Sequence, residues 1–260
     1  MQFRERSLNC GCKNKNLNQF YHVIMRIKSL IILILLTGLG KTVLGAENNG
    51  LLKADSLFKS QKYTEAFSIY KELMDQGDVS SSMLLKMAFI QDASEDYAEA
   101  LYYLDLYYRM SADRQAVGKI EEIAKEHELN GYQYDDSQYF LALYQKFKIH
   151  IVVLLLSISL LLLVYVFTKY KKEEKAYIPA VFQVFTILLL LVVVNFQAST
   201  RGIIINDQTL LRSGPSAGAE PVEILSRGHK VTVVNQSEVW TKILWNGEEV
   251  FVRNSRLKLI

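Results

Sequence analysis

The 260 residues carry 30 Lys/Arg against 27 Asp/Glu, a formal net charge of +3, and half of them are hydrophobic. That near-neutral total hides opposing parts: net +6 over residues 1–46, −7 over 47–148, +2 over 169–175 and +2 over 201–260. Outside the basic N-terminus no nucleic-acid footprint remains. With the only cysteines at Cys10 and Cys12, neither a disulfide framework nor a lipidated cysteine is expected downstream.

Taken in chain order, Met25-Arg26-Ile27-Lys28 is a short basic region and Ser29 to Gly40 is apolar. Val43-Leu44-Gly45-Ala46 then ends in small residues before Glu47. This order predicts a secretory signal over 25–46, cleaved near Ala46, behind an upstream extension at 1–24, with Met25 as the expected start. If retained, the same segment is a further span with its basic end inside, and the following residues still emerge outside.

Residues 47–148 are acidic and contain a repeat. Ala54/Ala88, Tyr63/Tyr97, Glu65/Glu99 and Ala66/Ala100 are each 34 positions apart. Small Ala where paired helices cross, with Tyr at the turn and this period, resembles the tetratricopeptide repeat. On that resemblance Ala54 and Ala88 take the small position of the first helix. Tyr63/Tyr97 and Ala66/Ala100 take positions of the second, with Tyr70 and Leu104 further along it. The usual Trp, the terminal Ala and the closing Pro are missing, and no third copy follows. A helix from about Asp113 to Leu129, stopped by Asn130-Gly131, reads as a cap for the stack. Another is predicted to begin near Asp135 or Asp136 and to run through Phe147 into an apolar run.

Residues 149–168 and 176–200, 20 and 25 in number, contain no Asp, Glu, Lys or Arg. About 20 helical residues span the hydrocarbon layer of a bilayer, so both read as transmembrane helices. Pro179 falls near the start of the second, where a missing N–H costs little. The 169–175 loop carries four lysines, which marks it as cytoplasmic by the positive-inside rule. The segments on either side of the hairpin are then both extracytoplasmic.

The period changes after Arg201. Val231–Asn235, Trp240–Leu244 and Glu249–Val252 read as strands, and Asn246-Gly247 as a hairpin turn. Arg212-Ser213-Gly214-Pro215-Ser216, Gly228 with Val231 and Val233, Trp240 with Lys242 and Ile243, and Val250-Phe251-Val252 follow in order. The pattern resembles the bacterial SH3-type (SH3b) barrel over about 203–260. Leu210 and Leu211 stand where that family has Asn and Val, and Val250-Phe251 where it has Gly-Trp. The expected fold is a multidomain membrane protein: an all-α tetratricopeptide-like repeat domain, a two-helix transmembrane hairpin and a small C-terminal all-β SH3-like barrel. The two outer domains are each expected to have a modest core of their own.

Signal, repeats, membrane hairpin and SH3b in this order resemble the BatE-type proteins of aerotolerance operons. The resemblance implies a subunit or scaffold of an inner-membrane complex, with a periplasmic face. Its implied partners are von Willebrand-type membrane proteins and, indirectly, a MoxR-type ATPase. It implies no chemistry. No catalytic residue, cofactor or metal is expected. Gly40-Lys41-Thr42 lacks the glycine a phosphate loop needs at Leu35. Asp78-Val79-Ser80-Ser81-Ser82 fits a D-x-S-x-S metal pattern, yet it follows a helical stretch and reads instead as a turn and N-cap. His127 and His229 stand alone, with a solvated or hydrogen-bonding role as the default. Binding surfaces are the better candidates. On the repeat register Leu51, Asp55, Phe58, Lys59, Leu85, Phe89 and Asp92 line a groove for a partner segment, or else pack between helices. Trp240 and Trp245 alternate out of phase, so at least one is expected on the SH3b surface, where it could contact peptidoglycan or peptide.

Overall fold

The computed structural model describes residues 49–173, 175, 177–196 and 199–260; the expected signal and upstream extension lie outside them. Two compact units emerge, one of Glu47–Ile149 with Asn195–Ile260 and one containing His150–Val194.

In the larger unit α1 (Asn49–Lys59) pairs with α2 (Tyr63–Asp75), and α3 (Ser81–Ala93) with α4 (Tyr97–Ser111). The 34-residue offset of the sequence is visible in the backbone. Tyr63 and Tyr97 open α2 and α4, and Gln61 and Glu95 close α1 and α3, each with φ of 60°. Ala54, Ala66, Ala88 and Ala100 are all buried, as close helix crossings require. Several starts, though not that of α2, are fixed by side chains that accept orphan N–H groups. Ser80 accepts from Met83 N–H and Asp96 from Glu99 N–H. Asp113 accepts from Gln115 N–H at the start of α5 (Arg114–Glu126). Ser80 therefore serves as the N-cap expected of the Asp78–Ser82 cluster. α5 ends three residues short of the expected Leu129, with Glu128 in the left-handed region.

The C-terminal part is a seven-stranded antiparallel sheet of β1 (Arg201–Ile204), β2 (Thr209–Arg212), β3 (Pro221–Leu225), β4 (Lys230–Gln236), β5 (Trp240–Trp245), β6 (Glu248–Arg253) and β7 (Leu257–Leu259). Its spatial order is β3-β2-β6-β5-β4-β1-β7. Asn246-Gly247 forms the β5–β6 turn, both residues at positive φ, with Trp245 opposite Glu248. That is the primed two-residue turn the dipeptide favours.

Apolar side chains gather in two clusters. One, around Leu211, Ile243 and Val252, lies within the sheet. The other fills the helices but also takes Ile203 of β1 and Ile260. The sheet thus has a core of its own and, through Ile203 and Ile260, also adds to the helical one.

α6 (Asp136–Lys171) runs unbroken from the larger unit into the apolar segment, as expected from its start near Asp136. In the smaller unit its apolar stretch and α7 (Tyr177–Asn195) are long and apolar enough to cross a membrane. Their large side chains, Leu154 and Phe182 among them, are exposed rather than packed in a core. Ser157 donates back to Val153 C=O, which satisfies the hydroxyl within its own helix. Ser159 instead accepts from the Gln183 amide at 2.8 Å, tying α6 to α7.

Candidate functional site

The expected groove residues divide into structural and exposed sets. Asp55 Oδ1 accepts from Tyr70 Oη at 2.6 Å and from Lys86 Nζ at 2.7 Å, joining α1, α2 and α3. Burial pushes the Asp55 carboxyl up, but the bonds from Lys86 and Tyr70 outweigh it and leave the group below its ordinary range. Leu51 packs half-buried against the helical core. These two take part in inter-helix packing.

Phe58 and Phe89 are brought together, with ring centroids 5.7 Å apart. Tyr63 joins them at 5.4 and 5.8 Å, all three edges to faces, the arrangement aromatic quadrupoles prefer. Phe89 is 51% exposed and Leu85 44%. Lys59 is exposed, and Asp92 faces Lys119 at 3.5 Å on the surface. The outcome is an apolar ridge of Phe58, Tyr63, Phe89 and Leu85 with charges at its margin. Tyr63 was legible only as a turn residue of the repeat.

Of the tryptophans, Trp240 is half-buried with the Arg253 guanidinium 5.5 Å from its ring. Trp245 is not on the surface. It belongs to the sheet core, and its indole N–H donates to Glu223 at 2.7 Å. A six-residue strand with alternating burial puts the two on opposite faces, so the correction follows from period alone.

The densest polar site is one that sequence reasoning missed: the junction where β1, β4 and β7 meet the helices. Lys230 Nζ lies 2.6 Å from Asp105 Oδ1, both side chains 3% exposed. The Tyr134 hydroxyl donates to the same Asp105 oxygen, and Lys230 also reaches the Tyr134 oxygen at 3.1 Å. Burial lowers the Lys230 pKa, and Asp105 offsets part of that. Burial together with the Asp105 charge pushes the Tyr134 phenol far above its usual range. Around this pair, Lys258 bonds Glu99 and Arg201 donates to Gln138 at 2.7 Å. Arg227 lies 3.7 Å from Asp96 and 4.6 Å over the Tyr97 ring.

Backbone closes the same junction. Lys230 N–H donates to Asn130 C=O at 3.0 Å, and Asn130 N–H donates to His229 Nδ1 at 3.1 Å. The Tyr132 hydroxyl donates to Gly228 C=O at 2.6 Å. Nδ1 as acceptor makes His229 the neutral tautomer with its proton on Nε2, facing Ser226 Oγ. Burial lowers its pKa, against a smaller opposing pull from Glu223. Gly131 and Gly228 both have φ of +94°, and each meets the other side too closely for a Cβ. At Gly131 a Cβ would sit 2.0 Å from the Lys230 carbonyl oxygen.

A signal for this junction existed. Asp105 shares the buried stripe of α4 with Leu101 and Tyr108 at helical spacing, and Lys230 alternates with Thr232 on the strand face opposite Val231 and Val233. An acid on a helix face that should be apolar implies a buried partner, whereas Lys230, on the polar face of its strand, carried no such signal.

Residues 209–258 match the family model of the bacterial SH3 domain. The C-terminal antiparallel β domain thus matches the bacterial SH3 domain in sequence. The match covers β2 to β7, leaving β1, which carries Arg201 and Ile203 into the helices, outside it. No curated protein and no solved structure matches the chain significantly.

Proposed function

We propose that this protein is a non-enzymatic scaffold of the bacterial cell envelope, anchored in the inner membrane by a two-pass hairpin. On this reading its helices are tetratricopeptide-type repeats, its sheet an SH3b barrel, and both stand in the periplasm. The resemblance to BatE-type proteins supplies the partners: von Willebrand-type membrane proteins, with a MoxR-type ATPase acting indirectly.

The observation that carries the reading is the half-exposed ridge of Phe58, Phe89 and Leu85 on the first helices of the two pairs, joined by Tyr63 at the start of α2. An aromatic cluster half in solvent, on the face where such repeats hold their ligands, suits an apolar anchor of a partner segment. The two-pass topology is supported by the junction. Residues 49–149 and 195–260 share a core and a buried ion pair, which requires both on one side of the membrane.

A second reading, peptidoglycan binding through the SH3b domain, is favoured by the exposed Val222 and Ile224 of edge strand β3. Affinity capture from membranes, with and without muramidase treatment, separates the two. Phe58→Ala with Phe89→Ala should cut recovery of membrane partners by about thirtyfold in affinity, as loss of ~2 kcal/mol at an interface centre implies. Recovery that survives those changes but disappears on muramidase treatment would favour the wall-binding alternative and remove the ridge as a docking site.

A further inference from the structure

Beside the Asp105–Lys230 pair, α4, the start of α6 and β1 border a half-open cavity of about 50 Å³, with Arg109, Gln138, Gln145 and Arg201 among its lining residues. Since a single water needs about 10–15 Å³ measured this way, the space suits a group of a few heavy atoms rather than a metabolite or peptide. Its walls hold three cations, Arg109, Arg201 and Lys230, against one carboxylate, Asp105. Lys230 is already committed to Asp105 at 2.6 Å. The two arginines are left with neutral acceptors: Arg109 Nε donates to Gln145 Oε1 at 3.3 Å, and Arg201 Nη1 to Gln138 Oε1 at 2.7 Å. Among the described residues neither guanidinium has an ion pair with a carboxylate.

We propose that this cavity is a binding site for one small oxyanion, held between Arg109 and Arg201. A guanidinium presents a fork of N–H donors that fits two oxygens of one anion. Each arginine here spends one side-chain bond on a glutamine and keeps donors to spare. The site's excess positive charge lies in a half-open recess, where like charges are only partly screened by solvent. Burial weighs against the Arg109 charge; Asp105 offsets part of this and Arg201 adds to it. An anion between the two arginines removes that repulsion and also bridges α4 to β1. The occupant is therefore a ligand that strengthens the seam between helices and sheet, with Gln138 and Gln145 orienting the two forks.

The test uses the full-length protein in detergent, with its unfolding midpoint followed while sodium phosphate or sodium acetate is titrated against sodium chloride at matched ionic strength. A saturable rise with either oxyanion, absent with chloride, is expected, because a ligand bound only by the folded state stabilises it. The two arms distinguish a phosphate-class occupant from a carboxylate. Calorimetric titration with the effective salt should give one site per chain. Arg109→Gln and Arg201→Gln should each weaken binding by about tenfold or more, since each removes charge-assisted bonds. Lys62→Gln, on the exposed surface, should leave it unchanged. The proposal is overturned if neither oxyanion binds the unsubstituted protein saturably, a result that does not depend on how any variant folds. It is equally overturned if both arginine variants bind as the parent does.

Discussion

Asp105 and Lys230 have almost no contact with water and hold each other at 2.6 Å, with Tyr134 on the same carboxylate oxygen. The attraction in such a site is set against the loss of hydration of both ions, so the pair as a whole contributes little net stability. Removing one member is a different matter, because it strands the other charge. Asp105→Ala should cost about 3–5 kcal/mol, while Asp105→Leu combined with Lys230→Met should come within about 1 kcal/mol of the parent or exceed it. Urea unfolding of the full chain in detergent measures both; equal damage from the single and the double change would deny the stranded-charge account. Residue chemistry also decides what could be read in advance. The buried alanines were legible from their spacing because small size at a helix crossing has one main use. Asp105 was not read as buried, since an acid in an acidic segment is ordinarily solvated and its partner lies 125 positions away.

Helix starts were more legible than helix ends, for a physical reason. Ser80, Asp96 and Asp113 announce themselves as caps by their side chains. The ends of α1, α3 and α5 instead use backbone bonds around a left-handed residue, which usually calls for glycine. Here Gln61, Glu95 and Glu128 take that conformation. Behind the first two, Lys62 N–H reaches Leu57 C=O and Asp96 N–H reaches Gln91 C=O, each at 2.9 Å. Gln61→Gly and Glu95→Gly should each stabilise the protein by roughly 0.5–1 kcal/mol, the left-handed cost of about 1–2 kcal/mol less the added freedom of the unfolded chain. Thermal unfolding reads the gain, and a loss at either site would show that its side chain makes contacts outweighing the strain. Strands followed the same logic. Asn246-Gly247 marks β5 and β6 through the turn chemistry it permits. β1 and β7, of four and three residues, hold their place through Ile203 and the helices rather than through any local pattern.

The larger unit is assembled from two stretches that the apolar hairpin separates in sequence. On the two-pass reading, a periplasm-dependent reporter fused after Lys148 or after Ile260 should be active, and one fused at Lys175 silent. Activity at Lys175 would reverse the compartment of every domain. The order of elements was readable from composition and period, whereas their union was not, because its contacts join residues such as Glu99 and Lys258 that are 159 apart. That separation has a consequence in time. Translation adds about 5–20 residues per second, so the helices emerge on the order of ten seconds before Ile203 and Ile260 can reach them. Throughout that interval Asp105 has no lysine, and the apolar seat of the sheet is bare. On the two-pass reading, only a chain whose two spans have both been threaded can deliver the missing strands to the waiting side. On that reading closure of the seam would report correct insertion, and a half-threaded chain would stay open, with a stranded carboxylate and a bare apolar seat.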